Sequence, residues 1–207
     1  ASIHKSNLPQ VRTNIKNEYT FRLAKAFGAP VVLHSELRDG SLRSVAQEEG
    51  IPILLYEAGE ALRFDETSIR IGVRGLVEVL RANDMLPKEI RKKIVKSPIV
   101  TKTSKWIRSS KSGMLRTIKA LGDTVEENEV IAYIDEPLGD ESYELLAPFD
   151  GVIIGKSEIP LVQEGDAVFH IAGLKNLELA EDKMEYFSEG LAEESEFYEL
   201  HNEEIIE

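Results

Sequence analysis

The sequence contains no cysteine. That absence excludes disulfides, thiolate metal sites and a cysteine nucleophile, so any metal chemistry must use His, Asp and Glu. Long apolar runs are missing too. No stretch of about 18 apolar residues is present to span a bilayer, and Ala1-Ser2-Ile3-His4-Lys5 lacks the apolar core of a signal peptide. The expectation is a cytoplasmic protein with no membrane partner. Bases are almost absent from one end: residues 176–207 hold 12 of the 37 acids and a single base, Lys183, leaving 25 acids against 24 bases elsewhere. Of the net charge of −12, −11 therefore belongs to the tail. The near-neutral body offers no large basic surface to neutralise a phosphate backbone, so nucleic acid is not an expected partner.

What is present is a 207-residue chain with 42% hydrophobic residues, enough for one good core or two small ones. From Asn17, the residues Tyr19, Leu23, Ala26 and Phe27 recur at helical spacing, and Gly28 with Pro30 ends the pattern. Val31-Val32-Leu33 reads as a short buried strand. Ser41 can cap a second helix carrying Leu42, Val45 and Ala46 and ending at Gly50, and Ile51 to Tyr56 reads as another strand. Asp65 can cap a third helix with Ile69, Val73, Leu76, Val77 and Leu80 on one face. Strands alternating with helices predict an α/β layer with a mostly parallel sheet over residues 1–90.

Residues 91–112, rich in Lys, Arg, Ser and Thr, read as a linker. Beyond Gly113, short alternating apolar stretches separated by Gly, Pro, Asp and Asn predict a small all-β domain over 113–174. It holds an internal repeat. Val125 to Ile134 can be laid over Val162 to Ile171 without a gap, and Gly113-Met-Leu and Gly151-Val-Ile precede these stretches. Two copies of one pattern suggest a quasi-twofold barrel. The tail, 175–207, mixes its acids with Leu177, Met184, Phe187 and Phe197, so it reads either as disordered or as helices docked on another surface, a homo-oligomer partner included.

The strongest local chemical feature is Leu55-Tyr56-Glu57-Ala58-Gly59-Glu60, an acidic pair at the end of an apolar strand. A partly desolvated carboxylate there is suited to proton transfer, although Glu at a strand end is also commonplace. Ile3 to Arg12, Ala24 to Pro30, Gly50-Ile51-Pro52 through Glu60, and Gly72 to Leu76 add an ordered set of segments. Together they resemble the succinylglutamate desuccinylase/aspartoacylase family. The resemblance covers residues 1 to about 174 and implies a carboxypeptidase-like α/β sheet with flanking helices, followed by a small barrel-sandwich-like domain. It also implies zinc-dependent hydrolysis of the amide bond of an N-acyl amino acid or similar carboxylate-bearing small molecule.

In that family the zinc ligands belong to motifs that would precede Ala1, so the resemblance implies zinc with no metal ligand among these residues. The family's general base is a Glu in an apolar-Glu-apolar-Gly motif, which places that role on Glu57 and not Glu60. Carboxylate-bearing substrates call for cationic clamps. Arg43 resembles an arginine preceding the catalytic strand, and Lys5, Arg12 and Arg63 are further candidates whose ordinary reading is that of solvated surface cations. His4 and His34 show neither His-x-x-Glu nor His-x-x-x-His spacing and read as structural, while His170 falls in the alternating β-pattern and His201 in the tail, so neither reads as a ligand. A lipoyl or biotinyl carrier domain is a rival for the β-unit, but carriers need a Lys at the central hairpin, and none occurs from Ala120 to Gly155. The alternative to an enzyme is a non-catalytic binding or scaffolding protein retaining the fold.

Overall fold

Lys5–Thr13 form the longest strand, β1, and the rest of the sheet is arranged around it. The computed structural model describes residues 3–87, 97–139 and 141–203, with side chains given to Gly190. After β1 come α1 (Glu18–Phe27), β2 (Val31–His34), α2 (Leu42–Glu48), β3 (Leu55–Gly59) and α3 (Glu66–Ala82). The three helices start where short polar side chains can satisfy free backbone donors: Asn17, Ser41 and Asp65 accept from the amides of Thr20, Ser44 and Ser68 at 3.0, 3.2 and 2.6 Å. α1 stops at Gly28, whose φ of 75° is the left-handed conformation that glycine adopts without penalty. α1 and α3 pack closely because Gly75 has no side chain: a Cβ there would lie 2.4 Å from the Phe27 ring.

The sheet is mixed, which corrects the expectation of a mostly parallel one. β1 runs parallel to β2, and β2 parallel to β4 (Ile99–Thr101), whereas β3 returns antiparallel to β1. Because β2 pairs with Gln10–Thr13 and β3 with an overlapping stretch, Asn7–Arg12, these two strands occupy opposite edges of β1. α2 and residues 51–54 carry the chain past β1 to reach that far edge.

The remaining strands are β5 (Ser104–Arg108), β6 (Gly113–Thr117), β7 (Thr124–Val125), β8 (Val130–Asp135), β9 (Ser142–Leu146), β10 (Gly151–Ser157), β11 (Leu161–Val162) and β12 (Ala167–Gly173), and the chain ends in α4 (Leu177–Glu203). The internal repeat is structural. Glu129 N–H donates to Glu126 O at 3.1 Å and Asp166 N–H to Gln163 O at 3.0 Å, while the intervening Asn128 and Gly165 have φ of 68° and 88°. Each half places four strands in the same order, β11-β6-β8-β9 against β7-β10-β12-β5. Between the two sets lies a core of Ile131, Ile134, Ile153, Phe169 and Ile171.

The pairings do not close into the expected barrel. β10 also pairs with β1, through Asn7 opposite Gly155, so β7, β10, β12 and β5 join β1–β4 in one eight-stranded sheet. β10 is buried on both faces, Ile153 facing the β-unit core and Val152 and Ile154 facing Leu8, Val31, Leu33, Ile99 and α4. The segment read as a linker carries β4 and β5, its residues 91–96 lying outside those described. The segment read as a tail forms α4, docked through Ala180 and Met184, with residues 204–207 and the side chains of 191–203 outside those described. No described helix is long and apolar enough to cross a membrane.

Candidate active site on the polar face of β1

Alternation along β1 sends Val11 to one face and Gln10 and Arg12 to the other. The Val11 face meets the helices: Val11 packs with Ala24, Phe27, Val32 and Ile71. Residues directly opposite in antiparallel strands share a face, so Tyr56, opposite Val11, joins that side and Glu57, opposite Gln10, joins the other. Tyr56 lies against Phe27 with ring centroids 5.0 Å apart, and its hydroxyl donates to Ser68 O at 2.8 Å. Burial and then the charge of Asp65 push its pKa well above the usual tyrosine value.

Glu57 thus lies mid-strand beside the centre of β1, not at the carboxyl edge of a parallel sheet. Its partner is Arg12, whose Nη2 lies 2.8 Å from Glu57 Oε2, each side chain being about one-fifth exposed (21% and 22%). Burial lowers the pKa of Arg12, Glu57 opposes that effect, and the charges of Arg43 and Arg38 reinforce it. Two further guanidinium groups therefore act on the one that holds the carboxylate. Arg43 is held by its own hydrogen bond, Nη1 donating to Ser35 Oγ at 3.0 Å.

Of the five residues singled out from sequence, the structure joins Glu57 and Arg12 directly, and the charge of Arg43 acts on Arg12. Lys5, earlier on β1, does not contact the Arg12–Glu57 pair; its Nζ lies 4.9 Å from the centroid of Trp106 on β5. Arg63 is elsewhere: its Nε donates to Glu60 at 3.0 Å, and Glu60 also accepts the amide of His4 at 3.0 Å. Gly59, with φ of 60°, supplies the turn that separates Glu60 from Glu57. Glu60 and Arg63 line a cleft of about 390 Å³ against the N-terminal end of α3, and a second of about 310 Å³ continues past Leu8 and Leu121 to Met184. Glu57 and Arg12 line neither cleft.

Sequence reading set His170 aside, and the fold returns it to this face. His170 on β12 lies opposite Gly155 of β10, which lies opposite Asn7 of β1. It stacks on Trp106 with centroids 4.7 Å apart and planes 13° from parallel, and its Nε2 lies 2.9 Å from Ser104 Oγ. Burial, then the charge of Arg12, pushes its pKa down to about 4, so the ring is neutral at neutral pH. Gln10, fully buried, donates through Nε2 to Leu8 O and Ile154 O at 3.3 and 3.1 Å. Three buried atoms in this region have no hydrogen-bond partner among the described residues: Gln10 Oε1, Arg12 Nε and His170 Nδ1. The signal in the sequence was Gln10 and Arg12 at alternate positions of one strand; nothing local pointed to His170. His34 accepts from the amide of Ile15 at 3.4 Å, and no group of three or more His, Asp or Glu able to hold a metal occurs among the described residues.

No family model matches the sequence, and no curated protein matches it. Solved structures do. The apo structure of the ectoine utilization protein EutE (DoeB) from Ruegeria pomeroyi shares 20% identity at a TM-score of 0.74, covering 84% of this chain and 58% of that one. A succinylglutamate desuccinylase/aspartoacylase from Rhodobacter sphaeroides shares 22% at 0.69, covering 81% and 54%. An aspartoacylase family protein from Mesorhizobium loti shares 16% at 0.61, covering 84% and 62%. The likeness is one of fold. Over most of its length the chain has the architecture of succinylglutamate desuccinylase/aspartoacylase proteins, and it spans little more than half the length of these structures.

Proposed function

We propose that the chain is part of a cytoplasmic, zinc-dependent hydrolase that cleaves the amide bond of an N-acyl amino acid or similar carboxylate-bearing substrate, with Glu57 as general base. The observation that carries this reading is the half-buried Arg12–Glu57 pair on the polar face of β1, with Arg43 and Arg38 within electrostatic reach. The fold shared with desuccinylase and aspartoacylase structures supports the same reaction class. Arg12 engages Oε2 of Glu57 and fixes the carboxylate, so that Oε1 can take the proton of an attacking water and later hand it to the leaving nitrogen. The guanidinium groups of Arg12 and Arg43 suit a substrate carboxylate, which they can bind in a planar, two-point fashion.

The described residues do not themselves fit a zinc site, since no three potential ligands converge. In this reading the zinc is held by residues that the chain does not carry, and no step above runs through it. The β-unit packs beside the site as a structural or lid element. A second reading has a specific observation in its favour. Glu57 is already engaged by a cation, as it would be in a non-catalytic binding or scaffolding protein that kept the fold.

The test uses the full-length protein, its zinc content and a panel of N-succinyl and N-acetyl amino acids. Stoichiometric zinc with release of free amino acid supports the hydrolase. Absence of both supports the scaffold.

A further inference from the structure

We propose that the open edge of β3 and the outer face of α3 form one docking surface, occupied by the residues that precede Ala1 in the full-length protein. This rests on the reading of the chain as part of a longer protein, and not on its hydrolysing an amide. Among the described residues β3 pairs with β1 alone, so its other edge presents backbone donors and acceptors that no strand receives. α3 turns its apolar stripe outward. Ile69, Val73 and Leu76 are 43%, 58% and 62% exposed, while the face turned inward carries Ile71, Gly72 and Gly75. Gly75 meets Phe27 of α1, and Gly72, about 60° further round the helix, meets Tyr56 of β3. Continuing in the same direction, the stripe lies about 40–100° beyond Gly72, away from α1 and toward the open edge of β3.

Leu62 and Phe64, in the connection from β3 to α3, add two more apolar side chains at 88% and 98% exposed. An unpaired strand edge beside a stripe of this kind is a surface that folded proteins cover. Two observations point to the occupant. The backbone coming from Ala1 arrives at this place, since the His4 amide donates to Glu60 Oε1 at 3.0 Å, directly after β3 and before the turn into α3. The chain also spans little more than half the length of structures that share its fold, so a protein of their size has several further elements to place. A strand added along β3 makes β3 an interior strand. Its alternate side chains then fall on the Glu57 face, beside that carboxylate, and the others fall on the α3 side.

The experiment uses the full-length protein with the photo-cross-linker p-benzoyl-phenylalanine in place of Leu76 and, as a control, in place of Leu138, which is fully exposed on the β-unit. Irradiation is followed by sizing of the product and mass spectrometry of its peptides, and hydrogen exchange is measured on the unsubstituted protein. The expected result is a cross-link within one polypeptide from position 76 to residues preceding Ala1, with none to them from position 138. The β3 amides that face away from β1 should exchange on the order of 100-fold more slowly than those of an unpaired edge. A product of doubled mass would assign the surface to a second copy and overturn the proposal. So would a cross-link confined to residues 1–207, no cross-link from position 76, or fast exchange of those β3 amides. Neither readout involves zinc or turnover, so the hydrolase reading can fail while this one stands.

Discussion

Removing the Arg12 guanidinium would leave a carboxylate only 22% exposed with no opposite charge in contact. Leaving one partner of such a pair behind costs more than the pair is worth, because the survivor stays desolvated. Arg12→Met should therefore destabilise the protein by about 2 kcal/mol in denaturant unfolding, and adding Glu57→Gln should recover part of that loss. An additive double variant would show that the two side chains do not depend on each other. At this scale the sequence was informative about Glu57, because an acid before a glycine at the end of an apolar run is a local pattern. Arg12 was visible only as one of several cations. Its selection over Arg63 came from the strand register, since Arg63 is three residues from Glu60 and pairs locally.

Among the elements, the helices were the most legible and β1 the least. Ser41 and Asp65 are caps in the sequence and caps in the fold, and Asn17, where the first helical pattern starts, caps α1, because capping is decided within four residues. β1 escaped notice because Pro9 interrupts it and because Asn7, Gln10, Arg12 and Thr13 give it a polar composition. The register slips between Asn7 and Gln10, and that irregularity lets a proline, which has no amide hydrogen, sit in a central strand. β3 begins four residues later than the apolar run at Ile51 suggests, since pairing with β1 sets its start at Leu55. The α1–α3 contact gives a test on the opposite face from Glu57. Gly75→Ala forces a methyl into the Phe27 ring and should cost about 1–3 kcal/mol in unfolding while leaving KM unchanged. A change in KM without loss of stability would mean that the helical face, not the polar face of β1, meets the substrate.

For the molecule as a whole, the decisive feature is that one sheet runs through both the α/β part and the β-unit. The repeat was readable because Asn128-Glu129 and Gly165-Asp166 make the same turn from the same pattern. The joining of β10 to β1 was not, because it pairs residues about 150 positions apart and no local signal marks such a contact. This continuity predicts a pH response. His170 has a pKa near 4 in the fold against an ordinary 6.5, so the unfolded chain binds the extra proton first as pH falls. Its contribution to stability is complete above the ordinary value, is lost as pH falls toward about 4, and changes no further below. The unfolding free energy of wild type relative to His170→Asn should therefore drop by a few kcal/mol between about pH 7 and about pH 4. A flat difference across that window would mean that His170 is exposed to water and not buried against Trp106 and Ser104.

The most direct measurement is steady-state amide hydrolysis by the full-length protein carrying Glu57→Gln. Glutamine keeps the shape and a contact for Arg12 but cannot accept the proton. The expected result is a kcat lowered by roughly 100-fold or more, with KM and bound zinc close to wild type. A variant that retains most of its kcat would contradict the assignment of Glu57 as the base.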